Sequence, residues 1–191
     1  MMKKIVCTIS LFLLTGCLGG YSPESTFYTL KSVENVAPIS QSSLSLGIDL
    51  PELPEYIDRP QIVSFSENGG ELNIDEVNRW GEDLDIMLQR VIAGDLRAYL
   101  PKAAIKPRTS LLEKYKYILN VSVVKFDMVE NNQAYFEALW TVKSGNTFNV
   151  VYKGKTSLNK PVDDGYGDYA KVMGEMIAQM SEQIAQKISG N

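Results

Sequence analysis

Between Tyr117 and Leu158 three runs of alternating apolar residues stand so close together that the chain has little choice of topology. The runs are Tyr117 to Asp127, Ala134 to Lys143 and Thr147 to Leu158, and the links Glu130-Asn131-Asn132 and Ser144-Gly145-Asn146 are turn chemistry. An antiparallel meander is therefore expected. In the middle run Phe136, Ala138, Trp140 and Val142 alternate with Tyr135, Glu137, Thr141 and Lys143; in the last, Phe148, Val150 and Tyr152 oppose Thr147, Asn149 and Lys153. Two other stretches have helical period. In Asp75 to Leu100 the stripe is Leu84, Leu88, Val91, Ile92, Leu96 and Tyr99, with acidic residues crowding the start and Pro101 closing the end. In Tyr166 to Ile188 it is Tyr169, Met173, Met176, Ile177, Met180, Ile184 and Ile188. The expected fold class is α/β: a mixed sheet with an antiparallel C-terminal meander and two long amphipathic helices packed on it, an α/β sandwich.

Upstream, Phe27 to Leu30 is the first candidate strand, and Glu34 to Ser43 reads as a loop. Leu44, Leu46, Ile48 and Leu50 alternate with Ser45, Gly47 and Asp49, the period of a half-buried strand. Pro51, Pro54 and Pro60 break the chain before a strand at Ile62 to Phe65. A turn at Glu67 to Gly70 then leads to another strand near Glu71 to Ile74. Gly94, inside the first helix, costs about 1 kcal/mol relative to Ala and marks close packing against a neighbour. Met173, Met176 and Met180 share one helical face, where packing on the sheet is the expected use and an exposed lipid or helix groove the alternative.

Ahead of all this, Lys3 and Lys4 precede an apolar run, Ile5 to Leu14, too short to span a bilayer and right for the h-region of a signal peptide. The run ends in Leu14-Thr15-Gly16-Cys17, which resembles the lipobox of bacterial lipoproteins, where the cysteine is acylated and the leader is cut just before it. Residues 1–16 are thus expected to be a signal peptide, residues 17–26 a lipidated Cys17 and flexible tether, and residues 27–191 a single periplasmic domain. Removing residues 1–16 from 191 leaves 175 and takes Cys7 away, so no disulfide is expected within the mature chain. Leu18 follows Cys17, rather than the Asp that commonly retains lipoproteins at the inner membrane, which favours the periplasmic face of the outer membrane. Several acyl chains anchor stably where one does not, at about 0.8 kcal/mol per buried CH₂.

Charge and composition narrow the chemistry. The chain has 19 Lys and Arg against 23 Asp and Glu, and the leader takes two of the lysines, so no nucleic-acid partner and no basic-patch membrane binding are expected. There is no histidine, which removes Ser-His-Asp and Cys-His mechanisms and His-containing zinc sites, and acylation would block the remaining thiol. The pairs Glu82 with Asp83 and Asp163 with Asp164 read as a helix start and a loop rather than an acid-base pair. No catalytic residue, metal ligand or cofactor is expected beyond the covalent N-acyl and S-diacylglycerol groups on Cys17.

Two stretches carry a wider resemblance. Leu53-Pro54-Glu55-Tyr56-Ile57-Asp58-Arg59-Pro60-Gln61-Ile62-Val63 and Arg79-Trp80-Gly81-Glu82-Asp83-Leu84 resemble the paired signature of the ABC-type transport auxiliary lipoproteins, the paraquat-inducible protein C-like (YmbA-like) family. Phe27 to Leu30 and the closing helix are similar as well, so the resemblance covers nearly all of the mature chain; Gly81 and Asp83 depart from the usual Ala and Pro. The resemblance implies a non-catalytic outer-membrane lipoprotein working with an MCE-domain protein that spans the periplasm, in lipid movement between membranes. It implies a homo-oligomer, with a ring as its form, and phospholipid as a further contact. Pro54, Asp58, Pro60 and Trp80 are read as a structural signature, Trp80 plugging the sandwich edge from a helix start and Arg59 pairing with Asp58 or a helix carboxylate. Tyr56, Arg59 and Arg79 are the candidates for contact with the partner. The alternative is a structural or pilot lipoprotein of another envelope assembly, in lipopolysaccharide insertion or secretion.

Overall fold

The computed structural model describes residues 23–68, 70–110, 112–130 and 132–190. Cys17 and the leader expected at residues 1–16 lie outside them. In chain order the elements are β1 (Thr26–Tyr28), β2 (Ser45–Ile48), β3 (Gln61–Phe65), β4 (Leu72–Trp80), α1 (Leu84–Tyr99), β5 (Ala104–Pro107), β6 (Tyr117–Val129), β7 (Gln133–Ser144), β8 (Val150–Pro161) and α2 (Gly165–Ser189). The fold is the expected mixed-sheet α/β sandwich, with β6, β7 and β8 as an antiparallel meander.

The other edge of β6 is shared by two branches. β2 runs parallel to β6 along Tyr117–Leu119 and carries β5 on its far side; β3 runs parallel along Met128–Val129 and carries β4, then β1. Between the branches the chain stays on β6 as far as Glu52, whose carbonyl accepts from Val123 N–H at 2.9 Å while its own N–H reaches Val121 O at 3.0 Å. It then leaves the sheet at Leu53 and returns at Gln61. The proline-rich stretch is thus an excursion in an otherwise continuous path along β6.

Both helices pack on one face of the sheet. The three methionines of α2, Met173, Met176 and Met180, are fully buried among Ile177, Ile184 and the sheet, so their stripe is core. An aromatic cluster holds the middle: Phe126 lies 5.8 Å from Trp80, 6.2 Å from Tyr169 and 6.3 Å from Phe136, and Tyr169 donates to Phe126 O. Among the described residues the buried core cluster runs from Leu30 to Ile188.

Four expectations need correction. Asp75 to Trp80 is not the start of a helix but the second half of β4, and α1 begins at Leu84. Trp80, expected at a helix start on the sandwich edge, ends that strand and is 4% exposed in the core. The third meander strand starts at Val150; Phe148 sits in the turn at φ 58° and is exposed, not on a core-facing row. β2 is covered on both faces, because the Tyr115 ring lies within 2.6 Å of where a Cβ on Gly47 would be.

The stretch after β1 is a strap rather than a free loop. Leu30 N–H meets Met87 Sδ at 3.2 Å, Ser32 Oγ donates to Val91 O at 3.2 Å, Val33 N–H to Asp95 Oδ1 at 2.8 Å and Ile39 N–H to Tyr99 O at 2.9 Å. These partners recur every four residues, one row along α1. Gly94 and Gly174 let the strap lie in the groove between the helices: a Cβ on the first would meet Ser32 Oγ at 2.1 Å, and on the second Lys31 O at 3.2 Å.

A candidate partner-binding corner on the open face of the sheet

The excursion from β6 is a short rigid loop. Ile57 N–H bonds to Pro54 O at 3.1 Å and Arg59 N–H to Ile57 O at 2.8 Å, while Ile57 plants its side chain in the core. Tyr56 lies edge-on to Phe65 at 5.5 Å and donates its hydroxyl to Asp127. Burial first, and then the Asp127 carboxylate, push the Tyr56 hydroxyl well above its ordinary range; burial also raises Asp127, against the hydrogen bond that favours its charge.

The second signature stretch closes on the first. Trp80 N–H donates to Pro60 O at 2.8 Å and Gln61 is paired with Arg79 across β3 and β4. On the far side β1 joins the corner through Gly81 N–H to Tyr28 O at 2.8 Å. The approach of β4 to this corner is irregular, because five residue steps from Ile74 to Arg79 face two from Val63 to Gln61. Asp75 holds that bulge: its Oδ1 accepts from Val77 N–H and Asn78 N–H, each at 2.8 Å. Burial opposes the Asp75 charge, but these bonds and those from the side chains of Asn78 and Tyr166 outweigh it and hold the carboxyl below its usual value.

The side chains of the corner divide by face. Trp80 points into the core, so Arg79 points to the face that carries no helix, where its Nε donates to Glu76 O at 3.2 Å and its guanidinium lies 3.6 Å from the Glu76 carboxylate. Its side chain stays 32% exposed. Tyr56 lies over that same face at Phe65 and Asp127. Arg59 pairs neither with Asp58, which is exposed, nor with a carboxylate of α1, and Glu82, just ahead of that helix, is bound by Arg90. Among the described residues Arg59 has no ion pair, and its Nε is buried without a hydrogen-bond partner. Pro54 is half-buried and Pro60 exposed at the ends of the loop. Asp127, Phe65 and Glu76, the partners that fix the corner, carry no local sequence signal for that role; only the pairing of distant strands reveals it.

A separate cleft of about 370 Å³ lies on the helix side, between Thr29 and Lys31–Val33 of the strap and Ala170, Lys171 and Gly174 of α2. No group of three or more acidic or thiol side chains among the described residues is arranged to hold a metal ion. Among the same residues no helix is long and apolar enough to cross a membrane.

Comparison with solved structures finds the same architecture elsewhere. An uncharacterised protein superposes with a TM-score of 0.73 at 22% identity, over 87% of this chain and 100% of its own. A DUF330-family protein from Xanthomonas campestris gives 0.68 at 19% identity, over 87% and 97% of the two chains. A hypothetical protein from Chlamydia trachomatis gives 0.51 at 9% identity, over 78% and 100%. A search of curated proteins gives no match. The sequence model of the ABC-type transport auxiliary lipoprotein component matches residues 28–185, from β1 to the last turns of α2, and takes in both halves of the corner. The chain belongs to the ABC-type transport auxiliary lipoprotein family.

Proposed function

We propose that this protein is the outer-membrane lipoprotein subunit of an MCE-type intermembrane lipid transport system, docking the periplasm-spanning MCE protein at its destination membrane. Cys17 carries the acyl chains that hold it to the periplasmic face, and the working form is a ring-like homo-oligomer with phospholipid as a further contact. The role is recognition, not catalysis: the histidine-free sequence favours docking chemistry. The observation that carries this reading is the corner itself. Two signature stretches about twenty residues apart in sequence are joined at Pro60 and Trp80, and the joint leaves Arg59 without an ion partner and Arg79 partly exposed on the open face. Tyr56, held on Phe65 and Asp127, supplies a rigid aromatic on the same loop as Arg59, and Arg and Tyr are the residues in which interface energy concentrates.

The test is a photo-crosslinking residue at position 59 in cells, together with pull-down by the Arg59→Ala/Arg79→Ala variant. Capture of the MCE-domain protein, and loss of its pull-down at an unchanged melting temperature, are expected. Capture of a lipopolysaccharide-insertion or secretion component instead, or undiminished MCE binding by the double variant, overturns the reading. Metabolic labelling with palmitate, lost in Cys17→Ala, checks the anchor separately.

A further inference from the structure

The strand directions gather charge at the two ends of the sheet. At one end lie the β3–β4 turn with Glu67 and Glu71, the β6–β7 turn with Glu130, and the loop into α2 with Asp163 and Asp164; Glu130 N–H bonds to Phe65 O and Val162 N–H to Asn132 O, tying these turns together. At the other end the loop between β5 and β6 lies against the β7–β8 turn, joined by Gly145 N–H to Lys116 O at 2.9 Å. That end carries Lys114, Lys116, Lys143 and Lys153, none in an ion pair among the described residues. Arg108 there is bound to Asp49, and the one carboxylate of the two segments, Glu113, is bonded to Thr109 and Tyr115. Two large apolar side chains protrude among the lysines: Leu112 is 89% exposed and Phe148 59%.

We propose that this basic end is a membrane-contact surface that seats on anionic phospholipid, with Leu112 and Phe148 entering the interfacial layer and the lysines ringing them at headgroup level. Exposed apolar residues ringed by cations are the pattern of interfacial membrane binders, and each lysine near an anionic surface strengthens binding by about fivefold. The net negative charge of the molecule does not oppose this. β6 alone, at about 3.3 Å per residue, sets the acidic end roughly 40 Å away, whereas charges are screened within about 10 Å at moderate salt. The near end therefore decides the interaction, and the far end fixes which way up the molecule stands. This local surface revises what the overall charge suggests about membranes. It is independent of the lipid on Cys17, and the test leaves that lipid out.

The experiment is co-sedimentation of residues 23–190, which hold the core cluster of the described residues, with vesicles of phosphatidylcholine alone or with about a third phosphatidylglycerol. Binding only to the anionic vesicles, weakened by high salt, is expected. Lys114→Gln/Lys116→Gln/Lys153→Gln is expected to bind on the order of a hundredfold more weakly, three lysines at about fivefold each. Leu112→Ser/Phe148→Asn is expected to lose about tenfold while keeping the turn, since Asn tolerates the positive φ at 148. No sedimentation with anionic vesicles, or sedimentation indifferent to both variants, overturns the proposal. So does a lipid-free oligomer that disperses on charge reversal of either Lys114 or Glu67, because the basic end would then be occupied by the acidic end of a second copy.

Discussion

Asp95 is the residue whose chemistry is most at odds with its surroundings. Its side chain is fully buried between α1, α2 and the strap, with Val33 N–H and the Ser181 hydroxyl as hydrogen-bond donors and no cation partner among the described residues. Burial raises its pKa to about 7, against those two bonds, which favour the charge. The native state therefore holds this proton more tightly than the unfolded chain, where a carboxyl titrates near about 4. Stability from this group is fully present below about pH 4 and is lost as pH rises towards about 7, so at neutral pH and above Asp95 weakens the fold. Asp95→Asn keeps the acceptor for Val33 and lets the Ser181 hydroxyl accept from the amide. The variant is expected to be more stable than the parent at pH 8 by about 1–3 kcal/mol and indistinguishable near pH 4. Urea unfolding of both chains at the two pH values measures it, and a difference that does not change with pH refutes the assignment.

Among the elements, β4 shows where local sequence stops being informative. Asp75 to Trp80 has acidic residues just ahead of a helical stripe, the composition of a helix start. It forms a strand because β3 and β1 pair with it on either side and because Asp75 turns inward to hold a bulge, which also erases the two-residue alternation by which a strand is recognised. The meander and both helices, by contrast, are legible: β7 and the two helices keep one period over ten or more residues, β6 keeps its alternation up to a bulge between Val123 and Lys125, and the three strands meet through short turns. Phe148 is not, because its positive φ turns it out of the row that its spacing assigns. The same corner separates architecture from recognition. Trp80→Ala removes a side chain packed on Phe126 and Tyr169 and is expected to cost about 3–5 kcal/mol. Arg59→Ala breaks no ion pair and is expected to lie within about 0.5 kcal/mol of the parent. Equilibrium unfolding in urea distinguishes them; a large loss for Arg59 would make the whole signature structural and remove it as a docking residue.

At the scale of the molecule, what the sequence concealed is relation between distant parts. Glu67, Glu130 and Asp163 are scattered along the chain and meet only because the strands alternate in direction, so a chain whose net charge is mildly negative folds into one acidic and one basic end. The strap is concealed for a similar reason: it leads into a polar, proline-bearing stretch, and the partners of Ser32, Val33 and Ile39 lie on a helix more than fifty residues later. The strap nevertheless completes the structure, since it covers the groove at Gly94 and Gly174, buries Leu30 and gives Asp95 its backbone donor. Truncation separates the strap from what precedes it. A chain beginning at Pro23 keeps the core cluster of the described residues and is expected to unfold cooperatively with a melting temperature within about 2 °C of the full-length protein. A chain beginning at Leu44 loses β1, Leu30 and four bonds to the row on α1, and leaves Asp95 with one donor instead of two. Removing a fully buried Leu alone costs about 2–5 kcal/mol, a large share of the roughly 5–15 kcal/mol that holds a domain together, so this chain is expected to melt broadly or not fold at all. Calorimetry and near-ultraviolet circular dichroism read the two cases, and a sharp, undiminished transition in the shorter chain would show the strap to be a passenger on the helices.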